Sequence, residues 1–242
     1  MRYSLTIIFY FFLQTSSFSA PLKDFTASYD LYHSNMYIGQ STRRLSTKNQ
    51  LLTFTSIAKS EGIAAWFYDI TINEKSELQL KNQQLNFFSY SYTEKKNNKN
   101  KSYQLHLDKK NKFYNSHTNE HYPITANLHD TLGITIAIMY DMQIGKRNMK
   151  YTIAEKDKLK NYSIKFLQKE NLATDNGEIS SLKMEHYNPK TKERFTFWCA
   201  TDMGFLPIRI RKINRKGKEI LLTLSKFNAK DIHISMDDDE ID

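Results

Sequence analysis

The feature that most constrains the fold of this chain is a two-residue alternation of apolar and polar side chains. From Phe25 to Tyr32, the series Phe, Ala, Tyr, Leu alternates with Thr, Ser, Asp, Tyr. Successive side chains of a β-strand point to opposite faces of the sheet, so this pattern predicts strands with one apolar and one wet face. The alternation recurs in segments 78–80, 88–92, 103–107, 162–166, 206–210 and 220–224.

Short clusters of turn-forming residues separate these segments, for example Ser34-Asn35, residues 97–100 and residues 215–217. Many short strands joined by tight turns are typical of an antiparallel meander. A sheet of about ten or more strands curls or closes instead of staying flat. The sequence therefore predicts a mainly β fold, in which the meander forms a strongly curved sheet or an incomplete barrel. Gly39, within one such segment, is a predicted bulge or bend.

One segment departs from the two-residue period and predicts a single helix packed on the sheet. Four large apolar residues recur there at intervals of four, four and three: Leu128, Leu132, Ile136 and Met139. This spacing places them on one face of a helix from about His129 to Gln143, with Asn127 as N-cap and Gly145 as stop. We expect the helix to cross the concave side of the sheet or to plug one end of a barrel. The β-branched residues of the segment leave a strand as the alternative.

The first nineteen residues have the layout of a secretory signal peptide. Arg2 precedes an apolar stretch, residues 5–13, and the small residues Ser17 and Ser19. We expect cleavage after Ser19 and a periplasmic or otherwise exported mature protein. The apolar stretch is too short to cross a bilayer as a stable helix, although a retained membrane anchor is the alternative interpretation.

The remainder of the chain shows no internal repeat and no linker of domain scale. Residues 20–230 are therefore predicted to form a single β-rich domain. Residues 231–242 are rich in aspartate and predict an acidic, solvated C-terminal tail.

Positive charge is in excess and clustered. The chain has 35 Lys and Arg, 26 Asp and Glu, and a formal net charge of +9. Basic clusters lie at residues 95–101, 109–112 and 209–218. Solvated hairpin tips explain the first two clusters, and attraction to an anionic partner is the functional interpretation. For an exported chain this partner is expected to be an anionic membrane surface or a wall polymer. The pairing of basic and stacking aromatic residues that marks RNA-binding modules is missing, so nucleic acid is not expected.

No residue pattern predicts catalysis. His117 and His121 would share a helical face, but strand-like residues and Pro123 flank them, and zinc requires three or four ligands. Cys199 is the single cysteine, which excludes an intramolecular disulfide, and its apolar neighbours favour a buried packing role. Glycine-rich phosphate loops and nucleophile-elbow serines do not occur. We therefore predict no metal, no cofactor and no enzymatic activity.

The apolar segment 61–69 allows two interpretations. It either tucks inward as a lid over the barrel mouth, or it exposes Trp66 and Phe67 to a lipid or ligand, because such rings suit membrane interfaces and pocket mouths. The predicted ligand-binding residues are these two rings and three side chains expected on the concave face: Trp66, Phe67, Ile136, Met139 and Trp198.

Several motifs together resemble the exported bacterial family called domain of unknown function 3108. They are Gly62-Ile63-Ala64-Ala65-Trp66-Phe67-Tyr68-Asp69, Asp130-Thr131-Leu132, and Phe197-Trp198 followed by Gly204-Phe205-Leu206-Pro207-Ile208-Arg209. The resemblance extends from about Phe25 to Phe227. The chain departs from the family pattern at two places. Cys199 stands where the family usually has an aliphatic residue, and the proline expected near residues 85–87 is missing. The resemblance implies an exported, mostly β protein without known catalytic residues.

Three functional hypotheses follow. The first is a non-enzymatic envelope protein that holds a lipid-like or apolar ligand in the concave face and approaches anionic membranes through its basic clusters. The second is a structural or protein-interaction module of the envelope with a filled core. The third is an enzyme acting on envelope polymers, which requires converging carboxylates or a histidine cluster in a cleft. An open or a filled interior distinguishes the first two hypotheses, and the oligomeric state stays open.

Overall fold

The computed structural model describes residues 22–229 with the exception of 68, 109, 111, 147, 175 and 176. The predicted signal peptide, residues 1–19, and the predicted tail, residues 231–242, lie outside the described residues. Within the described part of the chain, fifteen strands form one sheet. The strands are β1 (Phe25–His33), β2 (Met36–Lys48), β3 (Leu51–Ser60), β4 (Ile70–Lys81), β5 (Gln84–Lys96), β6 (Lys99–Leu107), β7 (Phe113–Asn115), β8 (Glu120–Tyr122), β9 (Leu128–Asp130), β10 (Met149–Ala154), β11 (Leu159–Thr174), β12 (Gly177–Asn188), β13 (Glu193–Ala200), β14 (Leu206–Ile213) and β15 (Glu219–Ala229).

Two α-helices of the described residues accompany the sheet. Helix α1 (Ile63–Phe67) connects β3 to β4, and helix α2 (Ile134–Gln143) lies between β9 and β10. A short 3₁₀ turn, Thr201–Met203, joins β13 to β14.

Sheet order follows chain order with one exception. The strands run β8 to β1 and then β15 to β9, so the first strand pairs with the last in the middle of the sheet. All pairs are antiparallel except β9 with β10. The ends of the sheet, β8 and β9, do not pair with each other, so the barrel is incomplete. The prediction of an antiparallel, strongly curved or incompletely closed β fold is thereby confirmed.

Turn chemistry explains why the meander forms. Three hairpins of the first half turn on two residues that both have positive φ: Ser34-Asn35, Asn49-Gln50 and Asn82-Gln83. Two positive φ angles in succession define the turn whose twist matches that of paired strands, and asparagine tolerates this conformation better than most residues.

Gly39 occupies the predicted bulge. The register between β1 and β2 shifts beside it, because Leu31 pairs with Gly39 and Tyr32 pairs with Tyr37. Its φ is 149°, and a Cβ atom at this position would lie 2.0 Å from the carbonyl oxygen of Lys59. Only glycine fits so close an approach of neighbouring backbones.

Helix α2 is shorter than predicted, and its predicted N-cap is wrong. Leu128–Asp130 forms the parallel strand β9, and Asn127 adopts a φ of 57° before it. The helix is instead preceded by Asp130, whose Oδ1 accepts hydrogen bonds from the backbone N–H groups of Leu132 (2.9 Å) and Gly133 (2.7 Å). Gly145, with a φ of 75°, follows the C-terminal end as predicted.

Helix α2 fills the interior of the curved sheet. Eight of its ten residues are buried. Ile136 and Met139 pack in a core cluster with residues of β1–β7, whereas Ile134 and Ile138 pack in a second cluster with residues of β10–β14. The stripe that contains Ile136 and Met139 is therefore only one part of the apolar surface of the helix, because the two halves of the sheet enclose the helix from both sides. Cys199 belongs to the second cluster, is fully buried, and has a raised thiol pKa because of that burial.

Candidate functional site

Helix α1 presents the most exposed large apolar side chains of the described chain. Trp66 is 90% exposed, Ile63 73% and Phe67 70%. None of the five residues of the helix is buried. Of the two interpretations of this segment, outward exposure is therefore the one that the structure shows, and the inward lid is not formed.

Local contacts hold α1 at the end of β2 and β3. The backbone N–H of Glu61 donates to the carbonyl of Ile38 (3.1 Å), and the Tyr37 hydroxyl donates to Oε2 of Glu61 (2.6 Å). This hydrogen bond to Glu61 raises the pKa of Tyr37 to about 12. Gly62 supplies a φ of 61°, which turns the chain from β3 into the helix. These contacts fix the position of the backbone that carries the exposed rings.

A lysine-rich hairpin lies directly beside α1. The backbone N–H of Asn97 in the β5–β6 turn donates to the carbonyl of Asp69 (2.8 Å), and the N–H of Asp69 donates to Oδ1 of Asn97 (3.1 Å). Residues 94–101 contain four lysines and one glutamate. The Lys101 side chain, 61% exposed, pairs with Glu94 at 3.1 Å.

The β1–β2 and β14–β15 turns lie at the same end of the sheet. Antiparallel pairing places alternate turns at one end, and the backbone N–H of Ser34 donates to the carbonyl of Glu219 (3.0 Å). Residues 214–219 contain three basic residues and one glutamate, and exposed Met36 and Ile220 flank the two turns. We call this end, formed by the α1 connection (61–69) and these three turns, the α1 rim.

The α1 rim combines apolar side chains with net positive charge. The two basic turns carry five net positive charges, and three remain when Glu61 and Asp69 of the α1 connection are counted. Exposed aromatic rings beside clustered lysines are the composition that suits an interface between water and an anionic lipid layer.

A groove opens at the opposite end of the sheet. Its volume is about 540 Å³, and it lies between the β4–β5 turn (83–87), the segment 124–129 and the C-terminal part of α2. Leu85, Leu128 and Ala137 contribute apolar surface to its wall. The volume falls within the range of about 300–1,000 Å³ that is usual for small-molecule sites.

Buried polar groups line one wall of this groove. His129 is 2% exposed, and burial, together with the Lys146 charge, lowers its pKa to about 3, so the imidazole is neutral at pH 7. Its Nδ1 has no hydrogen-bond partner among the described residues. The nearby Asp141 carboxylate accepts hydrogen bonds from the Tyr151 hydroxyl and from Nζ of Lys146, both at 2.8 Å. Sequence reasoning missed these residues, because no spacing pattern links them.

The five predicted ligand-binding residues do not form one site. Trp66 and Phe67 lie on the α1 rim, whereas Ile136 and Met139 are enclosed in the core, at 0% and 2% exposure. Trp198 lies on the opposite face of β13 from Phe197 and Cys199, and it packs in a separate small cluster with Ala200 and Ile208.

The sequence does not favour His117 and His121 as metal ligands, because their neighbours are typical of strands and turns. His117 lies in the turn before β8 and His121 in β8 itself, so they share no helical face. Within the described ranges, no group of three His, Cys, Asp or Glu residues converges as metal ligands. None of the helices described is long and apolar enough to cross a membrane.

A solved structure from Brucella abortus supports the β-barrel-like fold. A β-barrel-like protein of domain of unknown function DUF1849 from Brucella abortus aligns over 87% of this chain and 99% of its own, with 10% identity and a TM-score of 0.56. A DUF1089 family protein from Pseudomonas aeruginosa aligns over 69% of this chain and 87% of its own, with 10% identity and a TM-score of 0.38.

The family assignment comes from the sequence. The chain matches none of the curated proteins with which it was compared. The model of the family described as protein of unknown function (DUF3108) matches residues 25–224, which is most of the chain. The chain belongs to the DUF3108 family.

Proposed function

We propose that this protein is a non-enzymatic component of the cell envelope that binds anionic membrane surfaces through the α1 rim. The observation that supports this proposal is the exposure of Trp66 and Phe67 next to the lysines of the β5–β6 turn. Large exposed apolar side chains that are fixed by the backbone mark interaction surfaces. Helix α2 fills the interior, so a ligand that contacts its residues Ile136 or Met139 would have to displace the helix. The outer surface therefore remains as the place for an interaction.

The energetics of this surface favour a lipid layer. Removing a large apolar side chain from water contributes about 1.5–3 kcal/mol. Each lysine or arginine near an anionic leaflet adds about 1 kcal/mol, and salt screens this contribution. The rim offers both kinds of group on the same side of the molecule. Binding is therefore expected to require anionic lipid and to weaken as the salt concentration rises.

Vesicle co-sedimentation tests the proposal. The purified domain is mixed with vesicles of phosphatidylcholine alone or with phosphatidylglycerol added. We expect binding to the anionic vesicles, and a loss of at least tenfold in the double variant Trp66→Ala, Phe67→Ala. Phe166→Ala is the matched control, since Phe166 is 55% exposed on β11, away from the rim. Equal binding by parent and double variant would overturn the proposal.

Two charge-reversal variants test the contribution of the rim lysines. Lys99→Glu alters the β5–β6 turn, whereas Lys81→Glu makes the same change near the β4–β5 turn at the opposite end. We expect the first variant to weaken anionic vesicle binding and the second to leave it within about twofold of the parent, because screened charges act over about 10 Å. Equal weakening by both variants would indicate non-specific attraction by net charge.

A second candidate function is ligand binding, now placed in the groove instead of on the concave face. The supporting observation is a groove of about 540 Å³ beside α2, with one polar wall and with apolar surface from Leu85, Leu128 and Ala137. Native mass spectrometry of the protein purified from membranes tests this function. We expect a co-purifying lipid-like mass, and we expect Ala126→Trp, a change at an exposed residue of the groove lining, to remove it. A ligand-free spectrum before any substitution would contradict this function.

A further inference from the structure

The outer face around Trp198 holds an unusual concentration of cations. Register places Lys183 of β12 and Arg209 of β14 directly opposite this tryptophan, and Arg211 opposite Thr196. Nζ of Lys183 lies 5.1 Å from a Trp198 ring centre. The Cζ atoms of Arg209 and Arg211 lie at 5.8 and 5.3 Å. We call Lys183, Arg209 and Arg211 the cation cluster.

Only one of the three cations has an ionic partner in the described structure. Lys183 pairs with Glu170 at 3.4 Å, and Glu170 also accepts a hydrogen bond from the Trp198 indole N–H. Neither Arg209 nor Arg211 forms an ion pair or a hydrogen bond with another described residue through its side chain. The cluster with Glu170 therefore carries two net positive charges.

Buried polar atoms of the same face also lack partners. Nε of Arg209, Nε of Arg211 and Oγ1 of Thr196 are all buried without a hydrogen bond to any described group, and Thr196 is 1% exposed. Buried donors are normally satisfied. Two of these atoms belong to the unpaired guanidinium groups, and the third lies on the residue opposite Arg211. This face therefore has hydrogen-bonding capacity for a partner outside the described residues.

We propose that the cation cluster binds a phosphate group. Guanidinium groups bind phosphate oxygens in a forked geometry, and a lysine adds a point charge. A phosphate has enough oxygen atoms to accept from Arg209, Arg211 and the Thr196 hydroxyl together, whereas a carboxylate has only two. The Trp198 ring holds the three side chains in place through cation–π contacts, so the site is organised before the ligand arrives.

The proposal does not depend on membrane binding by the α1 rim. Trp198 and Trp66 are the only tryptophans of the chain. The variant Trp66→Phe therefore makes Trp198 the single reporter of the cluster. Its fluorescence is followed while inorganic phosphate, glycerophosphoglycerol or acetate is added at constant ionic strength, without vesicles.

We expect a saturable change with phosphate and at least tenfold weaker binding of acetate. Arg209→Gln and Arg211→Gln should each weaken phosphate binding at least tenfold in this background. Arg44→Gln should change it less than twofold, because Arg44 lies on β2, which β1 and β15 separate from β14. Circular dichroism checks that each variant is folded. If one arginine variant does not fold, the other still tests the proposal.

The source of the phosphate is read from the two phosphate ligands. Binding of glycerophosphoglycerol at least as tight as that of inorganic phosphate identifies a lipid headgroup, and a preference of tenfold or more for inorganic phosphate identifies the free ion. A linear response that is equal for phosphate and acetate, or unchanged binding in both arginine variants, would overturn the proposal.

Discussion

Helices α1 and α2 are both rich in apolar residues, yet they have opposite environments. In α2, eight of ten residues are buried between the two halves of the sheet, whereas no residue of α1 is buried and Trp66 is 90% exposed. Apolar composition therefore indicates that a helix packs against an apolar surface, but it does not identify that surface. For α2 the partner is the sheet, and for α1 we propose that it lies outside the chain.

The largest expected effect comes from truncating a buried side chain of α2. Ile136 is fully buried, so Ile136→Ala should lower the free energy of unfolding by about 2–5 kcal/mol. Ile63→Ala, the same change on α1, should remain within about 0.5 kcal/mol of the parent. Urea denaturation measures both values. Similar losses in the two variants would show that α1 is packed in solution.

The stability contributed by Asp130, which precedes α2, should depend on pH. Burial raises the pKa of Asp130 from 3.8 to about 6, although hydrogen bonds from Ser76, Gly133 and Leu132 oppose the change. Because the folded pKa is the higher one, the stability that this group contributes is complete below pH 3.8 and is lost as the pH rises through 6. The full change corresponds to about 3 kcal/mol.

The variant Asp130→Asn isolates this contribution, since the amide oxygen can still accept from the two backbone N–H groups. The free energy of unfolding of the parent minus that of the variant should fall between pH 4 and pH 6.5. Parallel pH profiles of parent and Asp130→Asn would contradict the buried, protonatable state of Asp130.

A smaller effect is expected where α1 is attached. Tyr37→Phe removes the hydrogen bond to Glu61 and should lower the free energy of unfolding by about 1 kcal/mol. The amide hydrogen of Ala65, bonded to the Gly62 carbonyl at 3.2 Å, should exchange faster. Tyr187→Phe serves as control, since Tyr187 is 45% exposed on β12. Unchanged exchange at Ala65 would mean that the backbone contacts hold α1 without the tyrosine.

The smallest expected effect is on the stability of the α1 rim variant. The double variant Trp66→Ala, Phe67→Ala should unfold within about 0.5 kcal/mol of the parent, because exposed side chains lose little on truncation. Its thermal unfolding should overlay that of the parent while its vesicle binding is lost. A clear loss of stability would assign the two rings a structural role.

The fold could be predicted because alternation along a strand is a local signal. Each hairpin turn also has its own local signal, such as the asparagines at positive φ. The start of α2 was not predictable, since Leu128 has helical spacing to Leu132 but pairs with Thr152 of β10. Whether Leu128 belongs to a helix or to a strand depends on its pairing with β10, which lies more than twenty residues further along the chain.

The candidate sites depend on contacts between distant segments, and the sequence alone does not carry that information. A continuous apolar run is compatible with both the lid and the exposed α1, so exposure of Trp66 required the structure. The neighbours of Trp198 follow from strand register, which shifts at Cys199. The groove combines residues near 85, 128 and 141, and no local pattern connects these three regions.

The pairing of β1 with β15 brings Phe25 opposite Ala229, so the two ends of the domain are adjacent. Until the last strand is synthesised, β1 and β14 each lack a neighbour, and the two halves of the meander have no backbone connection through the centre of the sheet. The sheet can therefore be completed only after β15, the last strand, has been synthesised. The same proximity makes the domain suited to circular permutation, with new termini in a hairpin turn.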